Sequence, residues 1–284
     1  MANENNKHED LAAMLRGYLG NYDFFYQFYA VKEFLEHSKG YIQKQGKETE
    51  DVETANVGAE YGDYFIDQKY HESVYWDAAY SMAAVGQLAP LLESLMTDYF
   101  AVLGKIYSNN IFEGQRFNNA SKLAWDPHYV FDKGKIGGGL CGGLEQLIKD
   151  LDIESKLPED TIKIFKALMG YRNKMFHNGL EWPENERTNF AKFIKEQKMK
   201  KWFSCSMLGK EPWIYYMEEI FIDKCLKLAE FLIKNLGAIG PKALKQNDKI
   251  QKSSKGKHEK NTIDRIVTVV GFVSEFLLFF WKPV

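Results

Sequence analysis

Apolar residues recur every three or four positions along most of this 284-residue chain, which is the spacing of one buried helix face. Pro90 falls inside the second apolar-periodic segment, where it is expected to kink the helix or split it in two. Alternation with a period of two, the pattern of a half-buried strand, is not found, so the sequence predicts an all-α fold. Helices are predicted over residues 11–38, 64–107, 144–151, 158–178, 187–201 and 214–235.

Three stretches lack this periodicity and are interpreted as loops. Residues 40–62 are charged and contain glycine, and residues 202–213 are irregular. Residues 108–143 carry several turn signals and end in a glycine-rich run. That run is followed by Leu140 and Leu144 instead of the Gly-Lys-Ser/Thr of a phosphate-binding loop, so we expect a flexible loop leading into a helix. The aromatic stripe of the first helix, which includes Phe25, Tyr29 and Phe34, is interpreted as core.

The composition changes sharply near the C-terminus. Residues 1–237 are expected to form one helical domain, residues 238–261 are a lysine-rich linker, and residues 262–284 form an apolar C-terminal helix interrupted by Glu275. Three interpretations of the apolar helix stay open. The first is a short membrane anchor with the lysines facing anionic lipid. The second is a helix that closes the core, and the third is an oligomer interface.

Charge and cysteine content narrow the classes of function. Residues 1–142 carry 12 Lys and Arg against 20 Asp and Glu, whereas residues 143–284 carry 25 against 19, so the C-terminal half is basic and suits a phosphate-backbone ligand. The three cysteines are far apart, which favours neither a disulfide framework nor a zinc site and fits a reducing cytoplasm. Residues 1–10 have no apolar signal-peptide core. No spacing of histidines and carboxylates implies a metal, and no cofactor is expected.

The strongest candidate for chemistry lies at the end of the helix predicted over 158–178. Arg172 is followed at once by Asn173, and His177 comes five residues after the arginine. Gly179 is a helix-stop signal, so His177 is expected in the last turn. Asn173 and His177 are four residues apart on one face, where the amide can orient the imidazole. Arg172 and His177 are about 140° apart around the helix, so a symmetric second copy of the helix is expected to complete the site.

The Arg-Asn-x-x-x-His pattern resembles the signature of the HEPN superfamily, and the similarity covers mainly residues 158–180. This resemblance implies a HEPN-like helical bundle, a homodimer formed through the motif helix, and metal-independent cleavage of RNA. It also implies a toxin or anti-phage role, and it leaves open whether a partner protein inhibits the enzyme.

The residue types suit this reaction. Histidine can take the proton of the 2′-hydroxyl and supply one to the leaving 5′-oxygen near neutral pH, and arginine matches the negative charge of the transition state. Lys192 and Lys195, on the next helix, are interpreted either as a track for the RNA backbone or as a solvated face. Two other hypotheses remain for the whole chain. In one, the motif helix pairs subunits without chemistry, and in the other a membrane-attached effector acts through its C-terminal segment.

Overall fold

The computed structural model describes residues 23–107, 112, 114–117 and 122–241. Within these ranges the fold is mostly helical, as the sequence predicted, with six α-helices and two short antiparallel hairpins. The helices are α1 (Phe24–Asn56), α2 (Gly62–Ile106), α3 (Leu140–Asp150), α4 (Thr161–Asn178), α5 (Glu184–Glu196) and α6 (Glu219–Asn235). The strands are β1 (Tyr129–Asp132), β2 (Lys135–Gly138), β3 (Phe203–Leu208) and β4 (Glu211–Met217).

The two long helices differ from the sequence-based prediction. The loop predicted over 40–62 is wrong, because α1 continues through Gly40 and Gly46 to Asn56 and the chain turns only over residues 57–61. Ion pairs one turn apart, such as Lys44 with Glu48 at 3.9 Å, support a polar helix whose glycines cost only about 1 kcal/mol each. α2 is a single helix that contains Pro90.

The aromatic stripe of α1 is only partly core. Phe24, Phe28 and Leu35 are buried, whereas Phe25 and Tyr29 are exposed. Phe34 is exposed as well, so at each of these three places the buried residue is the immediate neighbour of the aromatic residue that was assigned to the core. The predicted helical residues 11–22 lie outside the described part of the chain.

The strict all-α prediction is wrong because of the two hairpins. β1 pairs with β2, and Gly137 and Gly138 of the supposed flexible loop belong to β2. β3 pairs with β4 through a bulge that breaks any simple alternation in the sequence. The helix predicted from residue 214 begins at Glu219 instead, because Ile214–Met217 is rich in aromatic and β-branched residues and packs on α2 as a strand. There the backbone N–H of Met217 donates to Ser81 Oγ at 2.8 Å.

α2 runs through the centre of the core, where Leu88, Leu92 and Phe100 are fully buried. Packing against this core continues to the end of the described chain, since Tyr99 donates to the carbonyl of Ile239 at 2.7 Å. The remaining part of the predicted linker and the apolar segment 262–284 lie outside the described residues. None of the described helices is both long enough and apolar enough to cross a membrane.

Candidate functional site

Helix α4 carries the Arg172–His177 motif and is anchored by its apolar face. Phe165, Leu168 and Met175 are fully buried, and the buried Tyr171 donates to the carbonyl of Tyr215 at 3.0 Å. Gly179, with a φ of 74°, ends the helix and donates its N–H to the carbonyl of Met175 at 2.9 Å. The predicted helix end, with the histidine in its last turn, is confirmed.

Three neighbouring side chains at the end of α4 face outward, and we call Asn173, Phe176 and His177 the α4 tip. Phe176 is 56% exposed, and its ring lies close to Gly86 of α2. Within the described part of the chain, neither His177 nor Asn173 has a hydrogen-bond or ion-pair partner, and the two are not bonded to each other. The imidazole is therefore open to a ligand or a second subunit.

Arg172 makes its contact away from the α4 tip. Its Nη1 lies 4.0 Å from Glu93 Oε2 on α2, and the side chain is 39% exposed. No hydrogen bond or ion pair joins Arg172 to His177 among the described residues. The structure therefore brings the motif arginine together with a carboxylate that sequence analysis did not identify, and leaves the motif histidine separate within one chain.

Glu93 also binds a histidine from the segment that precedes β1. Its Oε1 lies 3.0 Å from His128 Nε2, and His128 Nδ1 lies 2.8 Å from Asp126 Oδ1. The same Asp126 oxygen accepts the backbone N–H of His128 at 2.9 Å. We call Asp126, His128, Glu93 and Arg172 the Glu93 cluster, in which an unbroken series of polar contacts joins three separate parts of the fold.

The Glu93 cluster favours a charged imidazole. Burial alone would lower the pKa of His128, but its hydrogen bonds to Glu93 and Asp126 together raise that pKa above the ordinary value. Because a carboxylate oxygen faces each ring nitrogen, the doubly protonated ring satisfies both contacts. Glu93 therefore lies between His128, whose charged form is favoured, and the Arg172 guanidinium.

A cleft of about 350 Å³ opens beside this cluster. The hydroxyl oxygen of Thr97 is buried there without a hydrogen-bond partner in the described chain. Burial raises the pKa of the Asp98 carboxyl, against the opposing charge of Lys105. The cleft is thus polar on its α2 side. Its lining comprises Phe24, Gln27, Glu93, Ser94, Thr97, Asp98 and His128.

The fully buried Arg116 holds the segment that carries Asp126 and His128. Its guanidinium donates to the carbonyl oxygens of Ala124 at 2.9 Å, Asp126 at 3.0 Å and Tyr129. A fourth bond reaches the carbonyl of Gly143 at 3.3 Å, at the start of α3. Burial lowers the pKa of Arg116 to about 10, while Asp150 and Asp126 oppose that shift. One buried cation therefore positions the loop of the candidate site.

The glycine-rich run allows α3 to pack closely against the loop that carries Asp126 and His128. A Cβ on Gly143 would lie 1.9 Å from the carbonyl oxygen of Pro127, so only glycine lets α3 approach the loop this closely. The interpretation of this run as a flexible loop is wrong for Gly143, which lies in the first turn of α3. A glycine at a close backbone approach gives no sequence signal that distinguishes it from a glycine in a loop.

Sequence analysis did not identify Glu93, Asp126, His128 or Arg116 as site residues. Residues 108–143 were recognised only by their turn signals, although an aspartate two residues before a histidine can accept the backbone N–H of that histidine, as Asp126 does here. The pairing with Glu93 joins residues 35 positions apart, which no local spacing predicts.

The two predicted RNA-binding lysines lie on α5. Lys192 is 74% exposed, with Nζ 3.8 Å from Glu196 Oε1, and Lys195 is also exposed. An ion pair between Lys174 and Glu186 links α4 to α5. Lys192 and Lys195 are both accessible to a polyanion. In the described ranges no group of three metal-binding side chains could hold a metal ion.

Comparisons of the chain with protein-family models, with curated proteins and with solved structures find no match. The candidate function therefore depends on the site residues and their geometry.

Proposed function

We propose that this protein is a metal-independent endoribonuclease that acts as a homodimer through α4. The observation that carries the proposal is the accessible, unpartnered His177 in the last turn of the helix that also carries Arg172. An accessible histidine can act as an acid or a base near neutral pH, and an arginine can bind a phosphate with a forked pair of donors.

The α4 tip supplies a reason for dimerisation. An exposed phenylalanine beside two polar residues is unfavourable in water and is covered when two copies pair about a two-fold axis. The same axis would bring Arg172 of one subunit towards His177 of the other. This explains why the two motif residues need no contact within one chain.

In the proposed reaction, His177 takes the proton of the RNA 2′-hydroxyl, whose oxygen then attacks the adjacent phosphorus. Arg172 stabilises the negative charge that grows on the phosphoryl oxygens. Asn173, one turn before His177 on the same face, is placed to orient the imidazole. The reaction also requires a proton donor for the departing 5′-oxygen, and its products are a 2′,3′-cyclic phosphate and a 5′-hydroxyl.

The exposed Lys192 and Lys195 would bind the RNA backbone beside the site. A toxin or anti-phage role in the cytoplasm is part of this proposal, as are restraint by an inhibitory partner and membrane contact through residues 262–284. The defence role is supported only by the family resemblance at Arg172, Asn173 and His177.

A second candidate is an interaction module without catalysis. Arg172 is already paired with Glu93, and no bond links Asn173 to His177 in the described chain. Both observations favour a helix that joins subunits through the α4 tip and performs no chemistry.

The purified full-length chain should be incubated with mixed RNA in EDTA, alongside three variants. Wild type is expected to cleave, whereas His177→Ala and Arg172→Ala should each lose about 10²- to 10⁴-fold in rate. Lys166→Ala is the matched control, because it removes a cation from the same helix that pairs instead with Glu145 at 2.8 Å. Cleavage by His177→Ala at the wild-type rate, or a requirement for a divalent ion, would favour the interaction module.

A further inference from the structure

The Glu93 cluster suggests which residue supplies the second proton of the reaction. We propose that His128 is the general acid of the ribonuclease and that the scissile phosphate binds between His128 and Arg172. This inference rests on the proposed function. It assigns to the Glu93 cluster a ligand of defined chemistry, a phosphodiester with a departing 5′-oxygen.

The reaction needs two groups in opposite protonation states. A general base must start the reaction in its neutral form. His177 suits this role because it has no carboxylate partner in the described chain. His128 lies between two carboxylates, which favour its protonated form. A general acid must start the reaction in that protonated form. The charged groups that face His128 are Glu93 from α2 and Asp126 from its own loop, with Arg172 of α4 beyond Glu93.

The geometry fixes which nitrogen can act. Asp126 binds both the Nδ1 atom and the backbone N–H of His128, so Nδ1 is occupied and the orientation of the ring is fixed. Nε2 points to Glu93 beside the cleft, and Glu93 in turn contacts Arg172 at a loose 4.0 Å. A phosphate that takes the place of the Glu93 carboxylate would meet two cations, one of which carries a transferable proton.

In the proposed step the 2′-hydroxyl loses its proton to His177, and its oxygen forms a bond to phosphorus. The bond from phosphorus to the 5′-oxygen breaks with its electron pair on oxygen, and that oxygen takes the proton from His128 Nε2. Exchange with water then returns His177 to its neutral form and His128 to its charged form.

A purely structural role for His128, fastening its loop to α2, predicts a different response to the leaving group. RNA in which sulfur replaces the departing 5′-oxygen needs no acid, because a thiolate leaves readily on its own. The test therefore compares the cleavage rates of ordinary and 5′-sulfur-substituted RNA by wild type, His128→Ala and Arg172→Ala.

His128→Ala is expected to cleave ordinary RNA about 10²- to 10⁴-fold more slowly than wild type but to cleave the sulfur substrate within about tenfold of wild type. Arg172→Ala should fail on both substrates, because it stabilises charge on the phosphoryl oxygens. The control is His37→Gln, an exposed histidine about 15 Å further along α1 than Gln27, which should match wild type on both.

Equal losses on both substrates, or no loss on ordinary RNA, would overturn the role of His128 while leaving the ribonuclease assignment intact. No cleavage of either substrate by wild type would instead reject the proposed function. If His128→Ala does not fold, Asp126→Asn provides the second test. Removal of the carboxylate at Nδ1 should move the basic limb of the rate–pH profile to lower pH, and an unchanged limb would refute the proposal.

Discussion

Replacement of Arg116 by methionine tests whether one buried cation holds the loop of the candidate site. Methionine has a similar length but no donors, so the carbonyls of Ala124, Asp126, Tyr129 and Gly143 would each lose a bond. An unpaired buried acceptor costs about 1–3 kcal/mol, although relaxation and entering water recover part of the sum.

We therefore expect Arg116→Met to lower the free energy of unfolding by about 3–5 kcal/mol, because several buried carbonyls lose their donor at once. This is a large share of the roughly 5–15 kcal/mol that stabilises a typical domain. Arg116→Lys should also destabilise the protein, because one ammonium group cannot span carbonyls on both sides of the guanidinium fork.

Urea unfolding followed by circular dichroism measures the effect. The control is Lys192→Met, which removes an exposed cation on α5 and should change the free energy of unfolding by less than about 0.5 kcal/mol. A loss below about 1 kcal/mol for Arg116→Met would show that the loop does not depend on these bonds.

Three further predictions address the surface and the cluster. Phe176→Glu should convert the proposed dimer to a monomer in analytical ultracentrifugation and abolish cleavage. Ile220→Glu, at a residue of similar exposure on α6, should do neither. A Phe176→Glu variant that remains dimeric would contradict the proposed interface through α4. The raised pKa of His128 stabilises the folded state at low pH, so the free energy of unfolding should fall as pH rises through that pKa, and urea titrations of His128→Gln should lack this fall. Replacement of both Lys192 and Lys195 by alanine should weaken RNA binding and reduce its salt dependence, as measured by fluorescence anisotropy. The single-turnover rate at saturating RNA should stay near that of wild type. An unchanged salt dependence would assign the two lysines to a solvated face.

The sequence predicted α4 well because its signals are local. Apolar spacing defines the buried face, and Gly179 ends the helix where a residue with positive φ is needed. The burial line of α1 was missed by one position, because Phe24 and Phe25 are equally apolar and only packing against the rest of the fold decides which is buried.

The hairpins and the Glu93 cluster depend on contacts between distant residues. β4 is a strand because Ile214 and its neighbours meet α2, and the segment on its own reads equally well as the start of a helix. Nothing in the sequence singled out Glu93, which becomes part of a site only because the fold places His128 and Arg172 on either side of it. Such a site is specified by tertiary structure, which spacing along the chain does not contain.

The central claim is that the protein is a metal-independent ribonuclease whose site needs two subunits. A complementation assay tests this claim most directly. Purified Arg172→Ala and His177→Ala proteins are each expected to be inactive on RNA in EDTA. After subunit exchange about half of the dimers are mixed, and each mixed dimer regains one Arg172 and one His177 from opposite subunits. Cleavage that returns on mixing and yields 2′,3′-cyclic phosphate ends is the predicted result. Mixed dimers that stay inactive while wild type cleaves would contradict a site shared between subunits.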